Sequence, residues 1–97
     1  ILQGLVFVES NFYTKFGEID LIFFEKSSQT LVFVEVKYRR NDFFGSAIEM
    51  VTEEKQNRIL ASSQVYLLKK NWDRNVRYDV VGVSKDSGNI EWLKNAF

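Results

Sequence analysis

Short runs dense in β-branched and aromatic residues punctuate this chain, and one longer run repeats with a helical period. "GLVFVES" (4–10), "EIDLIFFE" (18–25), "TLVFVEVKY" (30–38) and "VRYDVVGV" (76–83) predict strands. "KSSQ" (26–29) predicts the turn of a hairpin, and "RRNDFFGS" (39–46) a loop that carries aromatics. "TEEKQNRILASSQVYLLKK" (52–70) predicts one long helix: Thr52 is its N-cap, Glu53 and Glu54 suit the positive start, Lys69 and Lys70 suit the end, and Asn71 closes it. "NIEWLKN" (89–95), after the turn "SKDSGN", predicts a last strand. The order β-β-β-α-β-(β) implies a mixed α/β domain, a meander followed by a crossover helix.

The central hairpin breaks its own pattern. Side chains alternate faces along a strand. Glu18, Asp20, Ile22 and Phe24 therefore share one face of the first arm, and Leu31, Phe33, Glu35 and Lys37 one face of the second. A turn at Ser27-Ser28, or a four-residue loop 26–29, gives a register in which paired residue numbers sum to 55. Asp20 is then expected opposite Glu35, and Glu18 opposite Lys37. Two carboxylates set directly across a ladder repel. The other faces (Ile19, Leu21, Phe23; Val32, Val34, Val36) are apolar, which favours a strand pair covered on both sides.

Composition narrows the chemistry. The 97 residues suit one domain, here 1–97, and 45% hydrophobic content suffices for a core. There is no Cys and no His, which removes disulfides, thiolate sites, the commonest zinc ligand and the usual general base. Catalysis would fall to carboxylates, Lys, Tyr, hydroxyls or a hard metal held by oxygen. Thirteen basic and thirteen acidic residues cancel, so any nucleic-acid affinity rests on local clustering. No apolar run approaches the roughly 20 residues of a membrane span. "ILQGLVFV" is short and lacks a basic leader. A cytoplasmic protein is the expectation, with "ILQ" reading like the tail of an apolar helix whose upstream residues are missing.

A divalent cation would relieve the Asp20–Glu35 repulsion. Mg2+ and Mn2+ prefer carboxylate, carbonyl and water oxygens. Asp20, Glu35 and the Val36 carbonyl supply such a set, with Lys37 placed to activate a water or to stabilise developing phosphorane charge. An ordinary reading competes: Glu18–Lys37 as a cross-strand ion pair, with Asp20 or Glu35 answered by Lys15, Arg39 or Arg40 at a solvated edge.

"FGEIDLI", "LVFVEVKYRR", "EEKQNRI", "RYDVVGV" and the terminal "NAF" together resemble the YraN-like family of small bacterial proteins, a group associated with PD-(D/E)xK restriction-endonuclease-like nucleases and near Holliday-junction resolvases in fold. The resemblance covers nearly the whole chain. It implies a mixed sheet flanked by helices with a β-β-β-α-β core, Asp20 and Glu35 as metal ligands and Lys37 as catalytic lysine. Gln56 resembles the helix glutamine that completes such sites. Two features depart from the pattern: family members carry an N-terminal helix that this chain mostly lacks, and Tyr38 follows the lysine where a small or hydroxyl residue is common. The wider superfamily includes members without cleavage activity.

Gln56 sits in the first helical turn, where a phosphate or a water on the cation is within reach, although a solvated Gln fits as well. Glu49 and Glu54 are further acids near the expected site, Glu54 reading better as a helix-start charge. Gly17 and Gly45 read as turn glycines and Tyr66 as core. Asp79 is expected to pair with Arg77 or to lie at an edge. Lys15, Arg39, Arg40, Lys55 and Arg58 gather at the hairpin ends and helix start and would track phosphates. Phe43 and Phe44 would stack on unpaired bases or be buried under the loop or in a dimer. The expected activity is metal-dependent hydrolysis of DNA phosphodiesters, with structured or branched DNA implied by the analogy. A symmetric dimer would let two sites address two strands. A non-catalytic nucleic-acid-binding or protein-interaction module is the alternative, and RNA remains a substrate option.

Overall fold

The chain folds as β1 (Leu5–Thr14), β2 (Gly17–Glu25), β3 (Thr30–Arg39), α1 (Glu53–Lys69), β4 (Asn75–Ser84) and β5 (Ile90–Leu93) in a computed structural model that describes residues 4–40 and 51–97. The strands form one sheet in the order β1-β2-β3-β4-β5. The neighbours are antiparallel except β3 and β4, which run parallel. A parallel pair needs a crossover, and α1 lies in that connection. The result is a mixed α/β fold with a mostly antiparallel five-stranded sheet and one helix among the described residues. Glu49, Gly45, Phe43 and Phe44 lie outside those residues.

The β2–β3 hairpin closes through residues 26–29 and pairs Glu25 with Thr30 through to Leu21 with Val34, the register expected from the loop length. Gln29 carries a left-handed φ of 54°, and its N–H returns to the Lys26 carbonyl at 3.3 Å, completing the turn. The β1–β2 hairpin corrects the expected extent of the first strand, which continues four residues beyond Ser10 to Thr14. "SNFYT" does not read as a strand because the alternation along β1 is broken in two places. The ladder shifts register between Phe7 and Glu9. Asn11 then adopts φ 54°, a conformation short polar side chains tolerate.

That kink accounts for a second correction. Ile19 packs in the same apolar cluster as Ile22, Phe12, Leu31, Phe33 and Tyr66, instead of sharing a face with Leu21 and Phe23. The ladder pairs Ser10 with Leu21 and Phe12 with Ile19, on either side of Asn11 and Asp20. Strict alternation fails across that step, and Asp20 sits at the failure.

The α1 helix covers the face bearing Phe33 and Ile22. Thr52 caps it, accepting the Lys55 N–H on its side-chain oxygen at 3.1 Å. Its buried stripe is Ile59, Ser62, Ser63 and Tyr66, the spacing of one helical face. The two serines let the helix approach the sheet and are themselves bonded: Ser62 Oγ meets Thr14 Oγ1 at 2.8 Å, and Ser63 Oγ meets the Tyr78 hydroxyl at 2.7 Å. Tyr66 packs edge-on against Phe12 and Phe33, with ring centroids 5.0 and 5.8 Å apart. Each such pair adds ~0.5–1.5 kcal/mol beyond area burial. This packing holds the first turn of α1 over the end of β3.

On the opposite face, Leu5, Phe23, Val32, Val34 and Val81 form a second cluster with Trp92. Asp79 is fully buried there. It accepts Arg77 Nε at 2.9 Å and Arg77 Nη2 at 3.0 Å. Trp92 Nε1 donates to it at 2.8 Å and the Asn95 N–H at 2.9 Å. The expected Arg77 partner is found, and the acid anchors the chain after β5 to the sheet.

Candidate functional site

The chemistry concentrates where β2 and β3 part. The β2–β3 ladder runs only as far as Leu21–Val34. One residue further, Asp20 turns its Oδ2 to the Val36 N–H at 2.8 Å, so a side chain takes a bond that a regular ladder would give to backbone. The N–H and C=O of one strand residue leave on the same side, so the Val36 carbonyl also points toward β2, beside Asp20. Ser10, Asn11, Asp20, Leu21, Val36 and Tyr38 line an open cleft of about 350 Å3 at this point.

Glu35 approaches Asp20 from β3 without lining the cleft. It lies on the helix-covered face with Phe33 and is buried, its side chain 4% exposed. Asp20 is close enough to hydrogen-bond Glu35 when one of the pair is protonated. Burial raises the Glu35 carboxyl above its ordinary value, the Asp20 charge raises it further, and Lys55 works partly against both. The expected meeting of the two acids therefore occurs.

Two ammonium groups answer Glu35, both on Oε2. Lys37 Nζ lies at 3.6 Å and Lys55 Nζ at 3.2 Å. The sequence reading placed Lys55 among phosphate-tracking cations, whereas the fold lays it on the buried acid. The helix carries it there, and no strand arithmetic includes the helix. Its only sequence signal is position: three residues after the cap, in the turn that follows the crossover.

Glu18 does not meet Lys37, correcting the expected cross-strand pair. Glu18 registers with Tyr13 on β1 and hydrogen-bonds its phenol, raising the phenol above its ordinary value. The cause is the parting of the strands at Asp20, which ends the register before it reaches Glu18. Gln56 neighbours the site on α1, but its amide donates to the Val51 carbonyl at 3.1 Å.

The remaining cations divide. Arg39 pairs with Glu91 at 3.3 Å and Arg58 with Glu54 at 2.7 Å. Lys15 is exposed over the Phe16 ring, with its nitrogen 5.2 Å from the centroid. Arg40 is exposed, and its carbonyl is held by the Asp86 N–H at 3.1 Å. Tyr38, 62% exposed, lines the cleft beside Asp20, with Lys85 Nζ 6.0 Å from its ring centroid. Sequence reasoning treated Tyr38 only as a departure from a family pattern.

Among the described residues no three carboxylate, imidazole or thiolate side chains cluster as a metal cage. The donors at hand are two carboxylates and one carbonyl. This set fits Mg2+ or Mn2+, which keep several waters and use one or two carboxylates. It does not suit Ca2+, which takes six to eight oxygens at roughly 2.3–2.6 Å, or a zinc site of nitrogen and sulfur ligands. Among the described residues no helix is long and apolar enough to cross a membrane.

UPF0102 protein VP0448 of Vibrio parahaemolyticus is 47% identical over 96 residues, covering 97% of this chain and 78% of that protein. A UPF0102 protein of Nitrosococcus oceani is 43% identical over 99 residues, covering 98% and 78%. One from Hahella chejuensis is 44% identical over 97 residues, covering 98% and 77%. The model of the family described as "Uncharacterised protein family UPF0102" matches residues 1–83, a span that holds β1 through β3, α1, all of Asp20, Glu35, Lys37 and Lys55, and most of β4. The chain belongs to the UPF0102 family.

Proposed function

We propose that this protein is a metal-dependent phosphodiesterase of the PD-(D/E)xK type that hydrolyses DNA, with structured or branched DNA as its substrate class. The observation that carries this reading is the convergence of Asp20, Glu35 and Lys37 where the β2–β3 ladder ends, with Asp20 also lining the neighbouring cleft. The helix packed over the end of β3, and the parallel β3–β4 pair it connects, also suit a restriction-endonuclease-like sheet.

Asp20, Glu35 and the Val36 carbonyl would hold Mg2+ or Mn2+. When bound, such an ion neutralises phosphate charge and makes water a competent nucleophile near neutral pH. The chain's own groups have separate tasks. The Val36 N–H fixes the Asp20 carboxylate through its Oδ2. Glu35 is buried, with Val80 its partner across the β3–β4 pair, and being kept out of bulk water strengthens every charge interaction it makes. Lys37, its side chain 25% exposed, can reach both Glu35 and a phosphate oxygen, where an ammonium favours the extra negative charge of in-line attack. The exposed Tyr38 ring beside the cleft offers a face to an unpaired base.

A non-catalytic binding module is the second reading. It draws support from the completeness of the pairing already present: Asp20 has the Val36 N–H, and Glu35 has two lysines. The two separate on one experiment. Purified protein is incubated with four-way and duplex DNA in Mn2+, Mg2+ or chelator, beside Asp20→Ala and Lys37→Ala. The nuclease reading expects metal-dependent strand breaks that both variants lose by a factor of at least ~100 while remaining folded. Metal-indifferent binding without nicks would favour the module.

A further inference from the structure

The mechanism assigns no task to Lys55, yet it makes the shorter of the two contacts with Glu35. The contact is built. Lys55 sits in the first turn of α1, its backbone N–H tied to the Thr52 cap at 3.1 Å. The helix is locked to the sheet by Ser62–Thr14 and Ser63–Tyr78. From that base the side chain reaches across to Glu35 Oε2 at 3.2 Å, on the acid nearest Asp20. Its ammonium thus adds positive charge where two carboxylates otherwise repel. Unlike the acid, it is not sealed in: the Lys55 side chain is 35% exposed against 4% for Glu35, so it can leave without opening the core.

Resting on the metal-site reading above, we propose that Lys55 is the resident counter-ion of the Asp20–Glu35 pair in the metal-free protein, and that a divalent cation must displace it to bind. A compact strongly hydrated ammonium on a flexible stem suits a removable charge. Once displaced, its ammonium, on a side chain already partly exposed, is free to meet a nucleic-acid phosphate. Metal and nucleic acid then bind with positive coupling, because each gives the other's competitor somewhere to go. Lys37 is not the same device: it makes the longer contact and extends from β3 itself, two residues from Glu35.

The test is Mn2+ binding to the intact protein, read by calorimetry and by Mn2+ electron paramagnetic resonance, with thermal melting in chelator as the folding check. Lys55→Met removes the charge and keeps the stem; Lys55→Arg keeps a charge. The proposal expects Lys55→Met to bind Mn2+ roughly twofold to fivefold tighter than wild type, given what one partly exposed ion pair contributes. It expects Lys55→Arg to stay near wild type. It also expects the gap to shrink as salt rises. If wild type binds Mn2+ and Lys55→Met binds it equally or more weakly, Lys55 instead orients Glu35 and the proposal falls while the metal-site reading stands. If none of the three proteins binds Mn2+, the metal-site reading fails and this proposal with it.

Discussion

Two aspartates lie on strands of the sheet, Asp20 and Asp79, and they should respond differently to deletion. Asp79 is 0% exposed and accepts four hydrogen bonds, two of them from Arg77. Removing one partner of a buried pair costs ~3–5 kcal/mol. Arg77 would keep Glu25 at 3.3 Å, so the charge term falls at the low end, about 3 kcal/mol. Trp92 Nε1 and the Asn95 N–H would each lose their acceptor, adding about 1 kcal/mol apiece at the lower bound. Asp79→Ala should therefore lose about 5 kcal/mol, a large part of the ~5–15 kcal/mol available to a small domain. At ~4–8 °C per kcal/mol, Tm should fall by at least roughly 20 °C. Asp79→Asn does little better, since its NH2 must face two donors whichever way the amide turns. Asp20→Ala gives up one bond to the Val36 N–H but relieves Glu35 of a like charge, so it should stay within about 1 kcal/mol of wild type. Urea titrations with a common m-value decide it. A loss under about 1.5 kcal/mol for Asp79→Ala, or a larger loss for Asp20→Ala, would refute the division into an anchoring acid and a working acid.

Two further outcomes follow from local physics. Glu35 is raised above the ordinary 4.5, so the folded protein keeps that proton to higher pH than the unfolded chain does. Stability should therefore fall as pH climbs from about 4.5 through the raised value, and Glu35→Gln should lack this component, seen as a flatter urea midpoint between pH 4 and 7 than wild type shows. Thr52→Ala should cost about 1 kcal/mol in thermal or urea unfolding through the lost bond to the Lys55 N–H. Thr52→Ser should restore most of it.

Much of the fold was legible because it depends on local rules. "KSSQ" sets a four-residue loop, and that loop alone sets the β2–β3 register. Thr52, the two glutamates behind it and the terminal lysine mark α1 to within a residue. Where sequence reasoning failed, a side chain had taken a backbone role. Asn11 enters left-handed space, which extends β1 past its apparent end and turns Ile19 onto the helix face. Asp20 replaces a ladder bond, which stops the register before Glu18 can reach Lys37. The candidate site is built at that same irregularity, so the arithmetic correctly brought Asp20 to Glu35 and failed one pair later. Lys55 was beyond reach for a different reason. Its contact depends on where a helix docks, and docking is set by Ser62, Ser63 and Tyr66 together with partners 48, 15 and more residues away in sequence.

The most direct measurement is anomalous diffraction from crystals soaked in Mn2+ at neutral pH. The account predicts a single strong peak bridging the Asp20 and Glu35 carboxylates beside the Val36 carbonyl, with the Lys55 ammonium moved off Glu35. A Mn2+ peak elsewhere, or none while both lysines remain on Glu35, would contradict it.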